Sequence, residues 1–201
     1  MKVYIDGLPR SGNVFFAHCF FKAFGPIQQQ SDYHKVDTLK NYKNIDGIKI
    51  IVLRDAMDSL VSCKVRNIRK EAEEGIEGNN NYEGFVKRHE DYIELLLEND
   101  IFFIAPFKEF TVDPDAVMQK IKTAYPDLPN IMSKIDINDI FETIRKGYPE
   151  NSYDVHLPEE KSALYVQAEN HFKENYMERI TVLQEKIDSL YERYYHLPMG
   201  Q

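Results

Sequence analysis

Apolar positions along this chain fall into two kinds of run. Residues 3–5, 48–53 and 101–105 are short, β-branched or aromatic, and almost uninterrupted, the pattern of parallel strands buried on both faces. Residues 14–21, 57–70, 82–98, 113–125, 136–145 and 159–196 space their apolar positions for helices, and a short helix fits residues 36–42. Residues 27–34 leave room for one more short strand, ending near His34.

Punctuation supports these bounds. Gly25-Pro26 stops the first helix, and Asp113-Pro114 opens a later one, since proline fits a first helical turn. Pro126 and Pro129 close that helix. Residues 71–81 are acidic, glycine-rich and polar, and read as a mobile loop or a lid; residues 146–158 read as irregular. Strands alternating with helices predict an α/β fold with a mostly parallel sheet, whose ligands sit at the C-terminal strand ends. Residues 1–160 would form this domain, with residues 161–201 a helical extension. Along the extension Tyr176, Ile180, Leu183, Ile187, Leu190 and Tyr194 make a heptad seam. It either docks on its own domain or pairs with a second copy in a homodimer.

Composition narrows the class. The chain has 201 residues, 43% apolar and 29% charged, enough for one globular core. A formal charge of −8 argues against nucleic-acid or anionic-membrane binding, while leaving room for a local basic pocket. The two cysteines make no disulfide framework, and no run approaches a membrane span. The N-terminus enters a strand at once, so no signal peptide is expected and a cytoplasmic location fits. The histidines and cysteines share no ligand spacing, so no metal site is expected.

The chemistry is concentrated at residues 2–15. Strand, glycine turn and helix form the geometry that holds a phosphate, with backbone N–H groups aimed at the anion and the helix dipole behind it. Gly7 and Gly12 have the spacing of a nucleotide P-loop, but Asn13 and Val14 stand where that loop needs Lys and Ser/Thr. Mg·ATP chemistry, as in a P-loop kinase, is therefore poorly served.

Pro9-Arg10-Ser11-Gly12-Asn13-Val14-Phe15 instead resembles the first loop of the sulfotransferase family, whose donor is 3′-phosphoadenylyl sulfate. Arg54 and Ser62, eight residues apart after the second long strand, resemble its 3′-phosphate motif. Phe107-Lys108-Glu109-Phe110 with Asp113-Pro114 is similar to its Tyr-Glu-Asp-Leu…Asp-Pro segment, and Arg145-Lys146-Gly147 to its late Arg-Lys-Gly signature. His34 lies about where the family's catalytic histidine sits.

The resemblance implies a three-layer P-loop-type fold without a metal. Ser11, Gly12, Asn13 and Val14 would cradle the 5′-phosphosulfate, and Phe15 would lie on the adenine. Arg10 would meet the transferring group. Arg54, Ser62, Arg145 and Lys146 would hold the 3′-phosphate, and His34 would take the proton of a small-molecule or carbohydrate acceptor. Departures are visible: Val14 lacks the usual hydroxyl, Tyr33 replaces a frequent Lys, and Phe107 cannot hydrogen-bond adenine as the family's Tyr does. They keep open a module that binds the nucleotide without transfer. Ordinary roles also stand beside these. Arg54 could pair with Asp55 or Asp58, Ser62 could be a helix-surface serine, and His34 a loop residue.

Overall fold

A computed structural model describes residues 2–8, 11–25, 28–30, 36–42, 44–75, 81–147 and 162–197. Four strands, β1 (Lys2–Gly7), β2 (Gln28–Gln30), β3 (Ile48–Leu53) and β4 (Phe103–Pro106), form one parallel sheet in the order β2-β1-β3-β4. Between and after them run α1 (Asn13–Phe24), α2 (Val36–Tyr42), α3 (Ala56–Glu74), α4 (Tyr82–Leu97), the single turn α5 (Phe107–Phe110), α6 (Pro114–Ala124), α7 (Ile137–Gly147) and α8 (Ala163–Tyr195).

The uninterrupted apolar strands are explained by helices on both faces. Val3, Ile5, Ile50, Val52, Phe103 and Ala105 pack toward α1, α6 and α7. Their neighbours Tyr4, Ile51, Leu53 and Ile104 pack toward α3, α4 and α8. With a period of two, both faces of β1, β3 and β4 meet helices, so their patterns are nearly all apolar rather than alternating. All strands are parallel, so Gly7, Gln30, Leu53 and Pro106 end on one edge of the sheet.

Two sequence expectations shift. α3 continues through Glu74, so residues 71–74 of the expected acidic loop are helical. Asn67 donates to Glu71 one turn on at 2.8 Å, Glu71 is buried, and the helix stops at Gly75 in the left-handed conformation. The last long strand starts two residues later than its apolar run, at Phe103, and Ile101 is exposed.

The heptad seam is used within the chain. Ile180, Leu183, Ile187 and Leu190 are buried against the face that carries α3 and α4, and Tyr176 is half-buried there. Tyr194 lies past the β4 edge, its ring 6.1 Å from Phe103 on the other face. Polar groups of α8 finish the helices it crosses. Arg193 donates to the carbonyls of Leu96, Leu97 and Asn99 at the C-terminus of α4, where helical acceptors lack partners. Gln184 Oε1 accepts the N–H of Ala56 at 2.8 Å, at the start of α3. Tyr165 donates to Asp58 at 2.9 Å in that same turn. A straight helix would set Gln184 and Tyr165 about 28 Å apart, more than their side chains and one turn can bridge. α8 therefore arches between them, which lets its first turn reach the start of α3.

One polar pair lies inside this layer. His89 is fully buried. Its Nδ1 is 2.9 Å from the Phe85 carbonyl, which can only accept, so Nδ1 carries the proton and Nε2 accepts from the Ser59 hydroxyl at 3.0 Å. Burial, aided by Arg88 and opposed by the Phe85 bond, pushes its pKa down to about 4. The unfolded chain then binds a proton here more readily than the fold does. This stability term is complete above about pH 6.5 and is lost as pH falls through about 4. Urea unfolding should lose about 2 kcal/mol between pH 7 and pH 5 through this residue. A His89→Gln variant should show a flatter profile over that range; an equally steep one would remove His89 as the cause.

Candidate functional site

The turn after β1 is shaped by two glycines. A Cβ on Gly7 would lie 2.2 Å from the Val52 carbonyl oxygen and 2.6 Å from Asn13 Oδ1, so the chain turns there with no room for a side chain. Gly12 has φ +81° and immediately precedes α1, a conformation that other residues adopt at a cost of about 1–2 kcal/mol. The Ser11 N–H donates to the Leu8 carbonyl at 3.1 Å, closing the turn. Asn13 folds its amide back toward the Gly7 and Leu8 carbonyls, each at 3.5 Å. Ser11 is buried, and its hydroxyl has no hydrogen-bond partner among the described residues. Val14 is exposed. The first N–H groups of α1 open at this end of the sheet. Pro9 and Arg10 lie outside the described residues.

The end of β3 supplies Arg54. Its guanidinium carbon lies 4.7 Å from the centre of the Phe107 ring, and its Nη2 is 3.5 Å from Asp58 Oδ2. The ion pair weighed from sequence is thus present, with Asp58 as partner. Ser62 is half-buried on α3, one turn beyond Asp58. Arg54, Asp55 and Asp58 face Phe107, Lys108 and Thr111 across a cleft of about 230 Å³.

Phe107 connects the two turns. A Cβ on Gly12 would lie 2.8 Å from its ring, while Arg54 lies over that ring and Phe110 meets it edge-on at 5.4 Å. Phe107 itself stays partly exposed and lines the cleft. Phe15 is buried, with Phe141 at 4.9 Å and Phe110 at 6.1 Å. Both rings belong to the walls of the site.

Arg145, Lys146 and Gly147 are exposed in the last turn of α7. The strand of chain leading into α7 is tied to the end of α1, through Met132 N–H to Ala23 O at 2.8 Å and Ser133 Oγ to Lys22 O at 3.2 Å. Farther along α7, Phe141 reaches Phe15 near the start of α1. α7 therefore runs antiparallel to α1, and its terminal cations come to the same end as the glycine turn. Lys146 pairs there with Glu142 at 3.5 Å. His34 lies outside the described residues; β2, which precedes it, ends on this same edge at Gln30.

Two residues of the site were not singled out by sequence reasoning for this role. Lys108 lines the cleft, its ammonium 5.2 Å from the Tyr191 ring. Tyr165, from α8, donates to Asp58 Oδ1; burial first, then the Asp58 charge, raise its pKa, so it stays a donor. A larger groove of about 450 Å³ lies between α4 and α8, but its cations are already matched, Arg179 with Glu83 and Glu90, Lys87 with Asp91, and Lys186 with Glu94. Among the described residues no cluster of His, Cys, Asp and Glu could hold a metal ion, and no helix is long and apolar enough to cross a membrane. Cys19 is buried, which with the charge of Asp115 pushes its thiol up to about 12 and leaves it unreactive.

No family model matches the chain, and no curated protein matches it either.

The glycine turn makes a graded prediction. Gly7→Ala drives a methyl into backbone and should destabilise by more than about 3 kcal/mol. Gly12→Ala meets a side-chain ring that can swing aside, and should cost about 1–2 kcal/mol. Urea denaturation of both variants checks the order; a Gly12→Ala loss equal to or larger than that of Gly7→Ala would contradict the packing described.

Proposed function

We propose that the chain is a sulfotransferase with a three-layer P-loop-type fold, moving a sulfuryl group from 3′-phosphoadenylyl sulfate to a hydroxyl or amine of a small-molecule or carbohydrate acceptor. The observation that carries this reading is the Phe107 ring, set between Gly12 of the anion turn and the Arg54 guanidinium. It sets two anion-suited elements on either side of one ring at the C-terminal edge of a parallel sheet.

In this reading the N–H groups of Gly12, Asn13 and Val14 hold the 5′-phosphosulfate, while the Ser11 N–H stays on the Leu8 carbonyl and its buried hydroxyl faces the turn. Arg54 and Ser62, with Arg145, Lys146 and Gly147 at the end of α7, hold the 3′-phosphate. The acceptor oxygen or nitrogen attacks sulfur and its proton passes to His34. The sulfur–oxygen bond to the 5′-phosphate breaks, and Arg10 meets the charge that develops on the leaving oxygen. The product is adenosine 3′,5′-bisphosphate, and the step calls for no metal. Phe15 and Phe107 support the pocket by packing. A kinase reading fares worse, because Asn13 supplies no cation and turns its amide back on the loop. A module that binds the nucleotide without transfer keeps the same pocket, and Val14, Tyr33 and the small acceptor region are what favour it.

Calorimetric titration with adenosine 3′,5′-bisphosphate and, separately, with Mg·ATP distinguishes these readings. The first should bind alone; binding of Mg·ATP alone, or of neither, would overturn the proposal. Arg54→Ala should weaken the bisphosphate about 10- to 100-fold, the range of a lost charge-assisted contact. His34→Ala should keep that affinity and lose turnover, and wild-type binding with no sulfuryl transfer to any acceptor would favour the inactive module.

A further inference from the structure

Two contacts on different sides help to hold the Arg54 side chain. The Phe107 face lies beneath its guanidinium, and Asp58 Oδ2 stands 3.5 Å from Nη2. The second contact is long, and the Asp58 side chain is nearly half exposed, so by itself it would hold the arginine loosely. The other oxygen of that carboxylate accepts a shorter bond, 2.9 Å, from Tyr165 on the first turn of α8. That turn is itself fixed: Ser162 caps it, its hydroxyl accepting from Tyr165 N–H at 3.3 Å. The arching of α8 carries Tyr165 back to this spot, far from where a straight helix would leave it.

We infer that Tyr165 is a positioning residue for the anion site: its hydroxyl fixes the Asp58 carboxylate, which together with the Phe107 face holds the Arg54 guanidinium ready for a phosphate group. This rests on the reading of Arg54 as a phosphate ligand. A guanidinium already oriented loses less freedom when it binds a dianion, so the hydroxyl acts on affinity without touching the ligand. It also couples the seating of α8 to the site, because the helix can leave its place only by releasing Asp58.

The test uses the full chain and Tyr165→Phe, which keeps the ring and removes the donor. Calorimetry with adenosine 3′,5′-bisphosphate should show a three- to tenfold loss of affinity, the size expected for one hydrogen bond. In an Arg54→Ala background the same change should cost nothing further, since there is no guanidinium left to orient. An unchanged affinity, or an equal loss in both backgrounds, would overturn the inference and leave Tyr165 a helix anchor. A second measurement needs no ligand. The Arg54 Nε–H resonance, assigned by its disappearance in Arg54→Lys, should shift or broaden in Tyr165→Phe. An unmoved resonance overturns the inference whatever the protein binds. A moved resonance in a protein that binds no bisphosphate upholds the positioning and removes the sulfotransferase reading instead.

Discussion

The Phe107 ring, wedged between Gly12 and the Arg54 guanidinium, is the contact on which the geometry of this site depends. Three parallel strands deliver their ends to it: β1 through the glycine turn, β3 through Arg54, and β4 through Pro106 and the single turn α5. The Thr111 hydroxyl, donating to the Phe107 carbonyl at 2.8 Å, closes that short turn. A cation over an aromatic face is worth about 0.5–2 kcal/mol, modest against the whole fold, yet its geometric effect is large. It fixes how far the β3 cation stands from the β1 anion turn. The requirement runs backward into sequence, because only a residue without Cβ can lie at Gly12 while the ring is in place.

α8 braces the same region from outside the sheet. Tyr191 donates to the Leu53 carbonyl at 3.2 Å, Gln184 accepts from Ala56, and Tyr165 donates to Asp58. Three side chains of one helix thus serve the six-residue turn that carries Arg54. The buried seam supplies the free energy, with each Ile or Leu removed from water contributing about 1.5–3 kcal/mol, and the polar contacts convert it into a defined position for the turn. Asp55 precedes α3 yet makes no side-chain cap, and Gln184 does that work from more than a hundred residues away.

Much of this was legible in the sequence. Strands covered on both faces must be apolar throughout, so β1, β3 and β4 announced themselves, and α2 fell on residues 36–42 as its pattern indicated. The turn of Gly7 and Gly12, the placement of Arg54 at a strand end, and its rival pairing with Asp58 could also be read from local chemistry. Long-range effects could not. Residues 71–74 looked like loop because they are acidic; Asn67 one turn back and Gly75 after them decide for helix. The resemblance implied a ligand platform at Phe15, but no local pattern records that Phe110 and Phe141, distant in sequence, pack against its ring. The heptad spacing on α8 specified an apolar stripe without saying what covers it, and no local pattern records that the helix arches.

On the proposed reading, the charges around Arg54 would let an acidic protein hold an anion. Arg54 and Lys108 share their cleft with Asp55 and Asp58, so the described side chains there nearly cancel before any ligand arrives. A pocket of unopposed cations would attract anions more strongly at long range, but it would attract all of them, and salt would weaken it. A cation held against a carboxylate and an aromatic face instead presents its donors in a fixed direction. The loop N–H groups at the start of α1 have the same character: fixed dipoles with no net charge of their own. Affinity in such a site comes from donors already aimed, and selectivity from the spacing between them. Here that spacing is set by the depth to which Phe107 sits against Gly12.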